Sequence, residues 1–419
     1  MDPADFERAK ALFFEGHALL ETGRPDEAAA RFEASLALAP GRASTLANLG
    51  VARVEAGHHA AAIDVLESAL ALEPDDLSSR SYLAVALAAL GRHAEALACH
   101  DAVLARAPER PRNWLRRGEA LRFLDRHAEA LEAFERALAL DATLVAAWTH
   151  KGSLLRDAGR TAEAAHAYRQ ALDQGGDPDL LGYYLASVTG HGAPPAAPAA
   201  YVAPFFDEYA DEFERHLAEA LDYRAPQALV EAIGALGLRR WRSALDLGCG
   251  TGLCGALLRP FVARLEGVDL SARMLDHARR RGAYDALVQG DVAAHLVAMP
   301  AGAYDLIVAA DLFIYIGDLG PVFAAAARAL EAGGVFAFTV EALPVGEAAA
   351  PASDASAASA SAAGHVLLPT LRYAHAEPYL RALASRHGFT VAMLAPGVLR
   401  REQHRAVDGL YAVLQRPAG

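Results

Sequence analysis

The sequence predicts two fold classes in one chain, α followed by α/β: an all-α array of repeated helix pairs, then a domain built on a mostly parallel sheet. Three observations predict this. Small residues recur on a 34-residue period through the first 176 positions. An apolar strand at 244–247 runs directly into a glycine-rich turn and a helix. Between them lies a run of Ala and Gly at 191–200 that carries Pro194, Pro195 and Pro198. A chain of 419 residues also exceeds one ordinary hydrophobic core, so domains are expected.

Gly16, Gly50, Gly118 and Gly152 fall on the period, with Ala84 in the remaining place. Ala28, Ala62, Ala96, Ala130 and Ala164 share it. So do Gly23, Gly57, Gly91 and Gly159, Asp125 being the exception, and Pro40, Pro74 and Pro108 close three units. Phe32, Phe134 and Tyr168 occupy one shared later position. Small residues let two antiparallel helices approach, a glycine between them ends the first, and a proline stops the second. The reading is five helix pairs over 9–176, then a capping helix near 179–188 that covers the last apolar face. This pattern resembles the tetratricopeptide repeat (TPR), whose period is 34 residues. The resemblance implies a solenoid whose groove holds a protein or peptide partner; self-association, giving a homodimer, is the alternative. Arg24, His58, Arg92, Arg126 and Arg160 follow the loop position and read as helix-adjacent surface, with a clamp for an anionic peptide as the other option. The scattered histidines, His58 and His59 included, have no metal-ligand spacing and read as surface.

The proline-rich run reads as an extended, semi-rigid spacer. The expected domains are therefore 1–190, a linker at 191–200, and 201–419. After a helix carrying Tyr209 and a second opened by Pro226, the strand at 244–247 contains Asp246 and leads to Gly248, Gly250 and Gly252. Such a backbone lies close to a ligand without a Cβ in the way, and the helix N-terminus beyond favours a negative or carboxylate-bearing group. A second strand ends in Asp269, 19 residues beyond Gly250, followed by Ser271 as an N-cap. A third, at 286–289, precedes Asp291, and a fourth, at 304–310, precedes Asp311. Four acids in step at successive strand ends mark one rim of a sheet as a site. A helix at 321–332, a turn at Gly333 and Gly334, and a strand at 335–340 follow. Residues 347–364 form an Ala/Ser run that reads as a mobile loop. The last helix is entered from Thr370, and 389–394 with 409–414 read as an antiparallel hairpin.

Residues 243 to about 345 resemble a class I S-adenosylmethionine-dependent methyltransferase: Asp246 stands two before Gly248, and Asp269 and Asp291 follow at family-like spacing. The resemblance implies a Rossmann-like seven-stranded sheet with S-adenosyl-L-methionine as cofactor. Asp246 would orient its methionine part, with Gly248, Cys249 and Gly250 lying along it. Asp269 would bind the ribose diol, Leu270 and Met274 would flank the adenine, and Asp291 with Val292 would read its edge. Asp311 would stand near the transferred methyl. Tyr209, on a helix that covers the cofactor in related enzymes, is implied as a lid residue. Tyr315, Arg372 and Tyr373 are implied in the acceptor pocket, and His375 as a proton acceptor. The stretch from Gly250 to Gly255 also satisfies the G-x-G-x-x-G dinucleotide fingerprint. That triplet starts late, after Gly248 has left the strand, and leaves Gly290 and Asp291 unexplained.

Composition narrows the partners. A net charge of -13 opposes a nucleic acid or an anionic membrane. Three cysteines, Cys99, Cys249 and Cys254, lack pairing or zinc spacing, which fits a reducing, cytoplasmic setting without metal. The start lacks a signal-peptide pattern, and no apolar stretch reaches the length of a membrane span. The expectation is methyl transfer to oxygen or nitrogen of a small-molecule or carrier-bound acceptor. The alternatives are methylation of the protein held by the array, and a scaffold that only binds cofactor.

Overall fold

The structure, a computed structural model, describes residues 2–219, 223–237, 240–343, 364–402 and 405–418. Two compact units emerge. The first comprises 1–158 with 166–176, and the second 159–165 with 177–419.

The repeat half forms ten helices in antiparallel pairs: α1 Pro3–Glu21, α2 Pro25–Leu38, α3 Ala43–Glu55, α4 His59–Leu72, α5 Leu77–Ala89, α6 His93–Arg106, α7 Pro111–Phe123, α8 His127–Leu140, α9 Val145–Asp157 and α10 Thr161–Asp173. The 34-residue register has a steric cause. A Cβ on Gly118 would lie 2.5 Å from the Phe134 ring, and one on Gly50 would lie 2.4 Å from Leu66. Each glycine thus admits the bulky side chain of its partner helix. Asp125, the exception among the loop glycines, adopts the same left-handed backbone (φ 56°), which Asp tolerates better than most residues. Arg24, Arg92, Arg126 and Arg160 each pair with the glutamate three residues on, and His58 meets Asp26. One histidine departs from the surface reading. His100 occupies the register of Phe32 and Phe134, is 2% exposed, and lies 3.2 Å from Asn113 Oδ1 through Nδ1. Burial pushes it down to about 4.

Beyond the repeats, the second unit resumes with α11, Pro178–Thr189, expected as the cap of the array. Its Tyr183 packs with Leu367, Leu371 and Tyr373 and donates to the Leu371 carbonyl at 2.5 Å. The run at 191–200, read from the sequence as an extended spacer, makes backbone bonds to the domain. The Pro195 carbonyl accepts from Gly317 N at 2.8 Å and Asp318 N at 3.0 Å, while Ala197 N donates to Tyr315 O at 2.8 Å. This segment is a strap laid along the domain.

The remaining elements are α12 Ala199–Glu219, α13 Ala225–Gly234, β1 Trp241–Leu247, α14 Leu253–Leu258, β2 Val262–Asp269, α15 Ala272–Arg281, β3 Ala286–Gln289, α16 Val292–Ala298, β4 Tyr304–Ala309, α17 Gly320–Ala329, β5 Leu330–Ala342, β6 His365–Leu367, β7 Tyr373–His375, α18 Glu377–Arg386, β8 Thr390–Glu402 and β9 Arg405–Gln415. Seven strands run in the order β3-β2-β1-β4-β5-β9-β8; the first five are parallel and β9 is antiparallel to both its neighbours. The β6–β7 hairpin raises the count to nine. β7 pairs with Glu341 and Ala342, beyond the last residue paired to β4. Alternate side chains of β5 feed two cores. Phe336 and Phe338 join Phe323 of α17 and Leu380 of α18, whereas Val335 and Ala337 join Leu229 of α13 and Leu258 of α14.

The expected helix at 321–332 stops at Ala329, because β5 has begun by Leu330 and Gly333 (φ 75°) is absorbed as an irregularity in the strand. Apart from Gly364, the Ala/Ser run at 347–364 lies outside the described residues. Among the described residues no helix is long and apolar enough to cross a membrane.

Candidate functional site

The carboxyl ends of the parallel strands open into a cavity of about 1020 Å³. Its cofactor-side wall is the turn after β1. Gly248, Gly250 and Gly252 all have positive φ (63°, 53° and 88°). A Cβ on Gly248 would collide with Leu312 at 2.7 Å, while the Cβ position of Gly250 meets nothing within 4 Å. The turn is pinned to the next strand: Gly250 N donates to Asp269 Oδ2 and Ser271 N to Oδ1, both at 2.9 Å. Asp269 therefore locks its own loop to the glycine turn while lining the cavity. Its carboxyl is pushed up by burial, against the pull of those amides.

Asp246 is 1% exposed and accepts from the Tyr284 hydroxyl at 2.7 Å. Burial pushes it up to about 7. The same cause raises the thiols of Cys249 and Cys254, so both stay protonated where they line the cavity. Thr251 Oγ1 is buried beside the turn and has no hydrogen-bond partner. Leu270, Met274, Asp291 and Val292 continue the wall, and Asp291 caps α16 by accepting from Ala294 N at 2.8 Å. Open space at Gly250, an unpaired hydroxyl at Thr251 and carboxylates along one side leave room here for an extended polar ligand.

Helix α12 closes the opposite wall with Phe205, Phe206, Tyr209 and Phe213. It is tied down at Asp207, which accepts from Ser271 Oγ at 2.6 Å and Arg273 N at 3.2 Å. Tyr209 lies on the cavity, and so does Tyr315, in edge-to-face contact with Phe206.

At the far end the structure brings Asp311 and Arg372 together with Arg400, Glu341 and Glu402, which sequence reasoning missed. Arg400, 3% exposed, contacts Asp311 (3.0 and 3.2 Å), Glu341 (2.9 Å) and Glu402 (2.7 Å). Arg372 also pairs with Glu402. Asp311 lines the cavity with its carboxylate turned to Arg400, so it belongs to this network more than to the cofactor wall. Its φ of 56° is unusual for a residue with a Cβ, and Thr339 Oγ1 accepts from its N–H at 2.8 Å. Burial pushes Glu341 up. Burial also opposes ionisation of Glu402, but Arg400 and Arg372 outweigh it and hold that carboxyl low. Glu341 was legible as a fifth acid at a strand end, directly after Val340.

Two expected residues fall away from the cavity. His375 is fully buried in β7, and its Nε2 donates to the Gly317 carbonyl at 3.0 Å. Burial holds it down at about 4, so it stays neutral and unreachable by an acceptor. Tyr373 is equally buried and donates to the Pro194 carbonyl at 2.5 Å, fastening the strap. Among the described residues no cluster of three or more His, Cys, Asp or Glu is placed to hold a metal ion.

Comparison with known proteins agrees with this geometry. The Methyltransferase domain family matches residues 245–338. Tetratricopeptide repeat families match 13–77, 53–116, 111–144 and 145–174. A malonyl-[acyl-carrier protein] O-methyltransferase from Enterobacter lignolyticus is 33% identical over 138 residues, 33% of this chain and 52% of that protein. Its namesake from Legionella pneumophila is 31% identical over 144 residues, 33% of this chain and 49% of its own. The chain thus spans about half the length of the curated relatives it matches. Among solved structures, MamA from residue 41 to its end, from Desulfovibrio magneticus RS-1, is similar with TM-score 0.38 and 22% identity, covering 40% of this chain and 94% of that one. The protein therefore joins tetratricopeptide repeats, in its N-terminal part, to a methyltransferase domain.

Proposed function

We propose that the second unit binds S-adenosylmethionine and transfers its methyl group to oxygen or nitrogen of a small-molecule or carrier-bound acceptor, while the repeat array recruits a protein or peptide partner. The observation that carries this reading is the shared cavity. The glycine turn, the strand-end acids and the Arg400 network all face one space. Asp246, the turn at 248–251, Asp269 and Asp291 would hold the cofactor, and Leu270, Met274 and Val292 would pack on its ring. The cofactor supplies an electrophilic methyl on a sulfonium. The protein's contribution is then to align an acceptor and exclude water, as the aromatic wall of α12 favours. The names of the curated relatives support a carrier-bound acceptor.

Calorimetric titration of S-adenosylmethionine into the full chain tests the site, with Asp269→Ala as control. The variant loses two amide contacts along with the cavity carboxylate, so affinity falls at least ~10-fold. Unchanged affinity in the variant would count against the site.

A further inference from the structure

We propose that the acceptor in this cavity presents a cationic amine, and not a carboxylate, to the wall formed by Asp311, Arg400 and Glu402. This rests on the methyl-transfer reading and narrows its acceptor.

The argument is one of charge and saturation. Among the described residues, the cations lining the cavity are Arg372 and Arg400. Arg400 has committed Nε to Glu402, Nη1 to Asp311 and Nη2 to Glu341, and Arg372 has turned to Glu402. Three carboxylates in contact with two guanidinium groups leave one negative charge when all are ionised (three minus two). With Glu341 protonated the cluster is neutral; in neither state is it cationic. Asp318 adds another carboxylate to the cavity wall.

A charge entering such a space feels its neighbours several-fold more strongly than in water. To bind an acceptor carboxylate at Arg400, one of its three partners would have to be released and left in the interior without compensation, and Arg372, the other cation, already shares its charge with Glu402. An ammonium or amine instead meets acceptor oxygens already fixed in place. Asp311 is the best placed of them, because Thr339 and Arg400 together fix its left-handed turn at the end of β4. The bound ammonium first gives one proton to water or a wall carboxylate; the lone pair so freed forms the N–C bond while the S–C pair stays on sulfur, leaving a neutral thioether and a methylammonium product. The curated relatives are named for a malonyl acceptor, which carries the opposite charge; this wall argues against that acceptor here.

The test is calorimetry on the full chain saturated with S-adenosylhomocysteine, titrated near neutral pH with the matched probes hexylamine and hexanoate. Hexylamine is expected to bind at least ~10-fold tighter. Glu402→Gln narrows that gap, and so does Asp318→Asn at an exposed position, whose amide oxygen can still accept from Gly320 N. Equal affinities, tighter hexanoate, or no uptake of either probe overturns the inference. Failure to bind S-adenosylhomocysteine in the first titration overturns the cofactor reading itself, whereas normal binding with hexanoate preferred overturns the acceptor inference alone.

Discussion

The Tyr284 hydroxyl donates to Asp246 Oδ2 at 2.7 Å, and two glycines clear its path. A Cβ on Gly255 would lie 2.3 Å from the phenol, and one on Gly267 would lie 2.9 Å from the ring. Tyr284 is therefore a positioning residue for Asp246, the acid that burial raises to about 7. A cationic cofactor favours the ionised form, so affinity for S-adenosylmethionine should rise as pH rises through about 7. Tyr284→Phe removes the hydrogen bond that counteracts burial, which moves the rise to higher pH and weakens binding several-fold at neutrality. The measurement is Kd against pH, with Asp246→Asn subtracting the ligand's own titration. Superimposable wild-type and Asp246→Asn profiles would remove Asp246 from this role. Stability carries the opposite sign. The folded carboxyl holds a proton that the unfolded chain gives up at lower pH, so this contribution is full below the usual carboxylate range and is lost as pH rises towards 7.

The repeat register makes a second prediction that runs against helix propensity. Gly→Ala inside a helix ordinarily stabilises by about 0.5–1 kcal/mol. At Gly118 the new methyl would meet the fully buried Phe134 ring, so Gly118→Ala should cost about 1–3 kcal/mol. Gly182 in α11 has nothing within 4 Å of its Cβ position, and Gly182→Ala should follow the ordinary rule. Hydrogen-exchange protection of α7, α8 and α11 reads each effect locally, since a chain of two units need not melt in one step. Partial recovery in Gly118→Ala with Phe134→Leu would assign the cost to the clash; a stabilised Gly118→Ala would refute it.

What the sequence disclosed and what it hid have separate physical causes. Strands β1 to β4 each carry an acid within two residues of their carboxyl ends, so both their existence and their shared rim could be read from residue order. Strand β8 could not be read to its end, because Pro396 and Gly397 interrupt it, yet both remain paired in the hairpin with β9. The three-residue strands β6 and β7 are too short to carry a period, which is why His375 reads as a loop residue and proves to be core. Arg400 was invisible for a different reason. Its partners Glu341 and Asp311 lie 59 and 89 residues away, and only the sheet order brings the ends of β4, β5 and β8 together.

The strap predicts where the catalytic part can be separated. Tyr183 is fully buried against Leu371 and Tyr373, and Pro194 to Ala197 are bonded along Tyr315 to Asp318 and to Tyr373. A fragment of residues 177–419 keeps all of these contacts and should bind S-adenosylmethionine like the full chain. A fragment of residues 201–419 loses them and exposes the apolar surface of Leu367 and Leu371, so it should bind weakly and melt early. Equal affinity and equal melting temperature for the two fragments would show that the strap contributes nothing to the cavity.

Arg400 should be the costliest single side chain to remove from the acceptor end. Arg400→Gln leaves Asp311, Glu341 and Glu402 close together with only Arg372 nearby, a loss of about 3–5 kcal/mol at neutral pH by comparison with broken buried ion pairs. The pH dependence fixes the cause. In the variant these carboxyls are raised above their unfolded values, so the deficit grows as pH rises and shrinks as they take up protons. In the wild type, Glu402 is held low, and its contribution fades as pH falls through that lowered value. Both trends close the gap between variant and wild type on going from about pH 8 to about pH 5. Arg400→Lys keeps the charge without the planar fork and should fall between the two. Denaturant titrations at several pH values would read this directly, and a deficit independent of pH would mean that Arg400 matters for packing and not for charge.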